Sequence, residues 1–123
     1  MQLSLVMLGG AIGAGARHLT GRAMLVLLGP GLPYGTLAVN LAGGLLMGVL
    51  AGALARTGGA EAWRLFLGVG VLGGFTTFSA FSLDAVMLIQ RGQAAVALGY
   101  VLTSVVGSIA ALTMGLALTK AMA

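Results

Sequence analysis

Cysteine is absent from this chain, so neither a disulfide nor a thiolate metal site can be built from it. Acids are nearly absent too: Glu61 and Asp84 are the only two, and His18 is the only histidine. One histidine and two acids do not furnish a metalloenzyme centre or a Ser/His/Asp site, and no G-x-S-x-G or P-loop occurs. Gly68-Val69-Gly70-Val71-Leu72-Gly73 matches G-x-G-x-x-G. A dinucleotide site would need a strand before it, a helix after it and an acid about 20 residues on, and that context is missing. Charge is scarce in general: six Lys/Arg and two Asp/Glu stand among 123 residues that are 59% hydrophobic. The mean hydropathy is +1.12. A soluble domain of this size cannot cover its surface with so few charges, so the chain belongs in a lipid bilayer. The net charge of +4 is not gathered into a basic stripe, which argues against nucleic acid and leaves anion attraction or membrane-surface contact.

What is present is long apolar sequence. Charge-free runs occupy 1–16, 23–55, 65–83 and 92–119. As one helix the second would be ~50 Å long, too long for a ~30 Å hydrocarbon core. Gly29-Pro30-Gly31-Leu32-Pro33 breaks it near its start. The pattern predicts an all-α, polytopic membrane protein: one domain over 1–123 with four spans, at about 3–28, 35–55, 65–90 and 95–119. Ala14-Gly15-Ala16 fits a signal-peptide cleavage site, but no Lys or Arg precedes the apolar run, so residues 1–16 read as the first membrane helix. Trp63 starts the third span as an interfacial anchor.

Four spans put both termini on one side, together with Arg56, Arg64 and Lys120. Arg22 and Arg91 fall on the other side, with Arg17 nearby inside span one. The positive-inside rule gives almost no vote on orientation. Two explanations stand: a small protein with little charge, or copies that insert both ways and pair antiparallel. Small residues recur at helix spacing, with Gly44, Gly48 and Gly52 in span two, Gly9 and Gly13 in span one, and Gly70 and Gly74 in span three. Glycine at 22 of 123 positions suits tight helix–helix contact. Four short spans enclose little interior, so a pathway is expected between two copies, as a homodimer.

Several polar residues at membrane depth need a reason. The run Gly73-Gly74-Phe75-Thr76-Thr77-Phe78-Ser79-Ala80-Phe81-Ser82 lies inside span three, where irregular backbone is tolerated only against protein or a wet cavity. It predicts a broken third helix. The break is either a simple kink or a release of carbonyls able to hold a hard monovalent cation. Phe78 and Phe81 share a helical face, continued by Phe75, which serves lipid or core packing or turns electropositive ring edges to an anion. Thr77, Ser79 and Ser82 supply hydroxyls around these rings. Asn40 shares a face with Gly44 and Gly48, and its amide suits either an interhelical hydrogen bond or donation to an anion. Tyr100, Ser104 and Ser108 draw a polar line along span four, unless the serines bond back to their own helix. Arg17 sits ~20 Å along span one. It either snorkels to the interface or lines an anion vestibule. Asp84 is set to pair with a cation or cap a half-helix.

Three segments together resemble the Fluc/CrcB fluoride channels. They are Gly13-Ala14-Gly15-Ala16-Arg17, Gly35-Thr36-Leu37-Ala38-Val39-Asn40 and the span-three run from Gly73 to Ser82. The likeness covers essentially the whole chain, and its third motif is the specific one. It implies an antiparallel, dual-topology homodimer in the cell membrane, with two pores for passive fluoride efflux from the cytoplasm. By match of motif, Phe78 and Phe81 would face the ion through their ring edges and Asn40 would donate to it. Tyr100, Ser104 and Ser108 would continue the track, with Thr77 and Ser79 as further contacts and Arg17 at a vestibule. The carbonyls of Gly73 and Thr76 would hold a central structural Na⁺ that is not transported. The chain departs from the pattern at Ala80, where the family looks like threonine, and at His18, where tyrosine is common. Two rivals remain. A small multidrug-resistance-like exporter would need a glutamate in span one, which is missing here. A structural membrane subunit would use the glycine faces without needing the Phe/Thr/Ser cluster.

Overall fold

A computed structural model describes residues 1–121; residues 122 and 123, the end of the expected domain, lie outside the described residues. Helix α1 runs from Gln2 to Leu28 and stops at Gly29, whose φ of 80° is open to glycine and strained for other residues. Pro30 and Pro33 lie in the turn that follows, and α2 begins at Tyr34 and ends at Thr57. The third span starts earlier than expected, at Glu61. It is composite: a helical turn Glu61–Trp63, a π-helix Arg64–Leu72 and a turn Gly73–Phe75 form α3, residues 61–75. Two extended residues follow, and α4 runs from Phe78 to Gln90. A turn at Gly92 leads into α5, Ala94–Ala121. The expected break is therefore present, and it is preceded by a wide-wound segment that the hydropathy pattern did not announce. Trp63 is exposed at the head of this span, as an interfacial anchor must be.

Among the described residues, three segments are long and apolar enough to cross a membrane: α2, residues 61–90, and α5. Helix α1 is as long as these but carries Arg17, His18 and Arg22 along its second half, and it falls outside that group. Three such segments, with the long helix α1 beside them, make a polytopic membrane protein.

The helices pack as two parallel pairs. Helix α2 lies along α5, and α1 lies along α3. Glycine makes both seams. A Cβ added at Gly44 would stand 2.8 Å from the Ser108 carbonyl oxygen, and one at Gly48 would land on the Leu112 carbonyl. From the other side, a Cβ at Gly115 would land on the Leu45 carbonyl. In the second seam, Gly9 and Gly13 abut the Phe66 and Val71 carbonyls, and a Cβ at Gly70 would reach to 2.9 Å from Gly9 Cα. All three G-x-x-x-G sets found in the sequence are thus used inside one chain. Lipid tails are as apolar as leucine, so close backbone packing, not apolar burial, holds such helices together. The side-chain core is correspondingly thin: Phe81, Leu88, Ala97 and Tyr100 cluster between α4 and α5. Arg56 ties α2 to the end of α5 by donating from Nη1 to the Thr119 carbonyl at 2.8 Å, which suits a cation at a helix C-terminus.

Replacing Gly48 by valine forces two backbones apart and is expected to cost about 1–3 kcal/mol of stability. Gly15→Ala, at a position with open space around it, should change it by less than about 1 kcal/mol. Thermal unfolding in detergent distinguishes the two; equal losses would refute the seam.

Candidate functional site

The break centres on Thr76 (φ −87°, ψ 158°) and Thr77 (φ −151°, ψ 124°), both extended. A helix interrupted at membrane depth must satisfy its freed backbone groups internally. Side chains from two other helices do this. Asn40 on α2 meets Thr77 with both ends of its amide: Nδ2 donates to the Thr77 carbonyl at 3.1 Å, and Oδ1 accepts the Thr77 N–H at 2.9 Å. Arg17 on α1 donates from Nε to the Gly74 carbonyl at 3.1 Å. Thr77 also caps α4, its Oγ1 accepting the Ala80 N–H at 3.2 Å. Thr76 Oγ1 donates back to the Leu72 carbonyl at 2.9 Å.

Several carbonyls lose their regular helical partners in the process, those of Gly73 and Thr76 among them. In an unbroken helix the Thr77 N–H would bond Gly73 and the Ala80 N–H would bond Thr76. Here the first N–H goes to Asn40 and the second to the Thr77 hydroxyl. Neutral carbonyl oxygens released at a helix break are the donor type that suits an alkali cation. Among the described residues no cluster of three or more His, Asp or Glu side chains offers a carboxylate or imidazole alternative.

Beside the break lies a groove of about 380 Å³ lined by Asn40, Thr77, Phe78, Phe81, Ser104 and Ser108. Six of the nine side chains expected to line a pathway are therefore brought together, from α2, the break, α4 and α5. The Phe78 and Phe81 rings lie 5.5 Å apart at 42°, and Phe78 is 78% exposed where Phe81 is only 8% exposed. Ser108 Oγ donates to the Asn40 carbonyl at 3.4 Å. Ser104 Oγ is buried and has no hydrogen-bond partner among the described residues. Such an orphan is costly, and here it leaves an uncommitted hydroxyl at the wall of the groove.

The other three expected residues sit apart. Tyr100 packs behind Phe81, rings 5.4 Å apart, and its hydroxyl donates to the Asp84 carboxylate at 3.2 Å rather than entering the groove. A tyrosine is long enough to leave the serine line at its end. Ser79 is exposed on α4, with Oγ 3.4 Å from Thr77 Oγ1. Arg17 turns inward to the break instead of snorkelling, and lines a second recess of about 280 Å³ with His18, Arg22, Thr77 and Ala80. Thr77 borders both recesses. Ala80 faces the Arg17 side, so its missing hydroxyl affects that recess and not the groove.

Besides the seam residue Gly44 and the apolar side chains of Met47, Val105, Ile109 and Leu112, two lining residues lie outside the expected pathway. The sequence pattern gives Thr76 only a backbone role and Gly43 none. A Cβ at Gly43 would collide with the Thr76 methyl group, so glycine there lets the break approach α2. The signal was available: Gly43 follows Asn40 by three positions, on the same helical face.

The chain is similar to known proteins over nearly its whole length. Residues 4–116 match the family described as CrcB-like protein, Camphor Resistance (CrcB). A protein of Sphingopyxis alaskensis named fluoride-specific ion channel FluC is 57% identical over 116 residues, covering 94% of this chain and 92% of that one. One of Mesorhizobium japonicum with the same name is 52% identical over 120 residues, covering 98% and 97%. A third, of Phenylobacterium zucineum, is 57% identical over 120 residues, covering 96% and 94%.

Because the Ser104 hydroxyl has no partner among the described residues, Ser104→Ala is expected to raise stability by about 1 kcal/mol. A loss of stability in chemical or thermal unfolding would mean that the hydroxyl is already satisfied.

Proposed function

This chain belongs to the CrcB family, and we propose that it is a fluoride-selective passive channel that lets fluoride leave the cytoplasm across the cell membrane and so limits its toxicity. It is not an enzyme. The observation that carries the proposal is the groove beside the break, where the buried, unpartnered Ser104 hydroxyl lies with Ser108, Asn40 and two phenylalanine rings.

The chemistry of that groove suits a small, strongly hydrated anion. Fluoride sheds water only where close donors replace it, and pore width and hydrogen-bond donors set such selectivity. Ser104 Oγ–H is uncommitted, and the second N–H of Asn40 Nδ2 remains after the bond to Thr77. Aromatic ring edges are electropositive and add weak contacts at Phe78 and Phe81. No Lys or Arg lines the groove, so no full charge traps the ion. Neutral contacts in series let an ion enter and leave.

In this reading the functional unit is an antiparallel homodimer of copies inserted both ways. The balanced distribution of Arg and Lys supports it, as does a groove that one chain leaves open with Phe78 standing free. The Gly73 and Thr76 carbonyls would hold a structural sodium ion at the dimer centre. When bound, that ion would supply a fixed positive charge that neutralises carbonyls otherwise left without partners at membrane depth.

Purified protein in liposomes is expected to release fluoride, read with an electrode, while chloride loaded in parallel stays inside. Phe78→Ile should cut fluoride release by more than about tenfold, a rise of ~1.4 kcal/mol in the barrier. It should leave the dimer intact by size-exclusion chromatography. Unchanged flux would remove the aromatic pathway, and no release by the parent protein would remove the channel.

A further inference from the structure

We infer that Asn40 is a positioning residue for the central cation: by capturing the backbone of Thr77 it sets the Gly73 carbonyl free. The inference rests on the sodium reading above and assigns the control of that ion's affinity to a side chain that the resemblance gives to fluoride.

The argument is a hydrogen-bond exchange. A Thr77 N–H left to itself would close an i to i−4 bond on Gly73 and continue the helix. Asn40 Oδ1 takes that N–H at 2.9 Å, while Nδ2 holds the Thr77 carbonyl at 3.1 Å, so the peptide cannot turn back. The fixed extended conformation of Thr77 then places its Oγ1 to take the Ala80 N–H at 3.2 Å, which releases the Thr76 carbonyl as well. One amide thus decides the state of both carbonyls. Gly74, between them, is already occupied by Arg17 at 3.1 Å, so its carbonyl is not competing for the cation. A second observation points the same way. Gly43, one turn from Asn40 on α2, admits the Thr76 methyl where any Cβ would strike it. Helix α2 therefore fixes the break by an amide at one position and an empty space at another, and the cation site inherits its geometry from both.

The test uses the full-length protein in detergent, titrated with sodium chloride against N-methyl-D-glucamine chloride at constant ionic strength. Thermal unfolding midpoints give the sodium concentration for half-maximal stabilisation, and amide hydrogen exchange reports the Thr77 N–H. Asn40→Leu is near-isosteric and lacks both bonds; it is expected to need roughly tenfold more sodium, the equivalent of one or two lost hydrogen bonds. Asn40→Asp, measured at a pH that keeps its carboxyl protonated, retains the acceptor for the Thr77 N–H and an O–H donor for the Thr77 carbonyl, and is expected to stay within about threefold of the parent. A structural role alone would lower the midpoint of both variants at saturating sodium without moving the half-effect concentration. An unchanged sodium dependence in Asn40→Leu overturns the inference while leaving the sodium reading in place. A parent protein insensitive to sodium overturns both. If Asn40→Leu does not fold, Gly43→Ala carries the test. It displaces Thr76 with the amide intact and is expected to raise the sodium requirement; no change there overturns the inference.

Discussion

A backbone polar group at membrane depth has no water to fall back on, and a helix that stops there must find its partners within the protein. The rest of this molecule is arranged around that constraint. At Thr76 and Thr77 the third span stops being a helix, and two distant side chains make this possible. Asn40 supplies Thr77 with a donor and an acceptor, and Arg17 occupies the Gly74 carbonyl. Each unsatisfied group would cost about 1–3 kcal/mol by mutational measure, so the break is stable only with both neighbouring helices in place.

That requirement explains the glycine. The break needs α1 and α2 close enough for short side chains to reach it, and in lipid no hydrophobic force draws helices together. Close approach has to come from backbones in contact. Gly44, Gly48 and Gly115 bring α2 against α5, Gly9 and Gly13 bring α1 against α3, and Gly43 admits Thr76 beneath α2. The large apolar side chains are mostly left outside, free for lipid or for a second copy.

The groove beside the break follows from the same packing. Because α2 and α5 run parallel in contact, Asn40 and Ser108 meet, and Ser104 is buried one turn further along with nothing to bond. A hydroxyl kept without a partner in a low-dielectric interior is a standing cost. Its presence next to aromatic edges and away from formal charge is what the proposed anion path draws on.

Much of this was legible in the sequence because it depends on local composition. Hydropathy and length determined the helices; Gly29 to Pro33 determined the first turn; Gly73 to Ser82, polar within an apolar span, announced the break; and the G-x-x-x-G spacings announced the seams. The residue types of the groove were readable too, with six of nine expected side chains in it. Partnership was not. Whether the Asn40 amide met an ion or a backbone, whether Arg17 turned outward or inward, and whether Tyr100 followed the serines or bonded Asp84 were decided by contacts between residues far apart in the chain. Asn40 reaches Thr77 across 37 positions and Arg17 reaches Gly74 across 57. Periodicity gives the face of a helix on which a side chain stands; only the packed structure gives what stands opposite, because that depends on which backbones the glycines allow to touch.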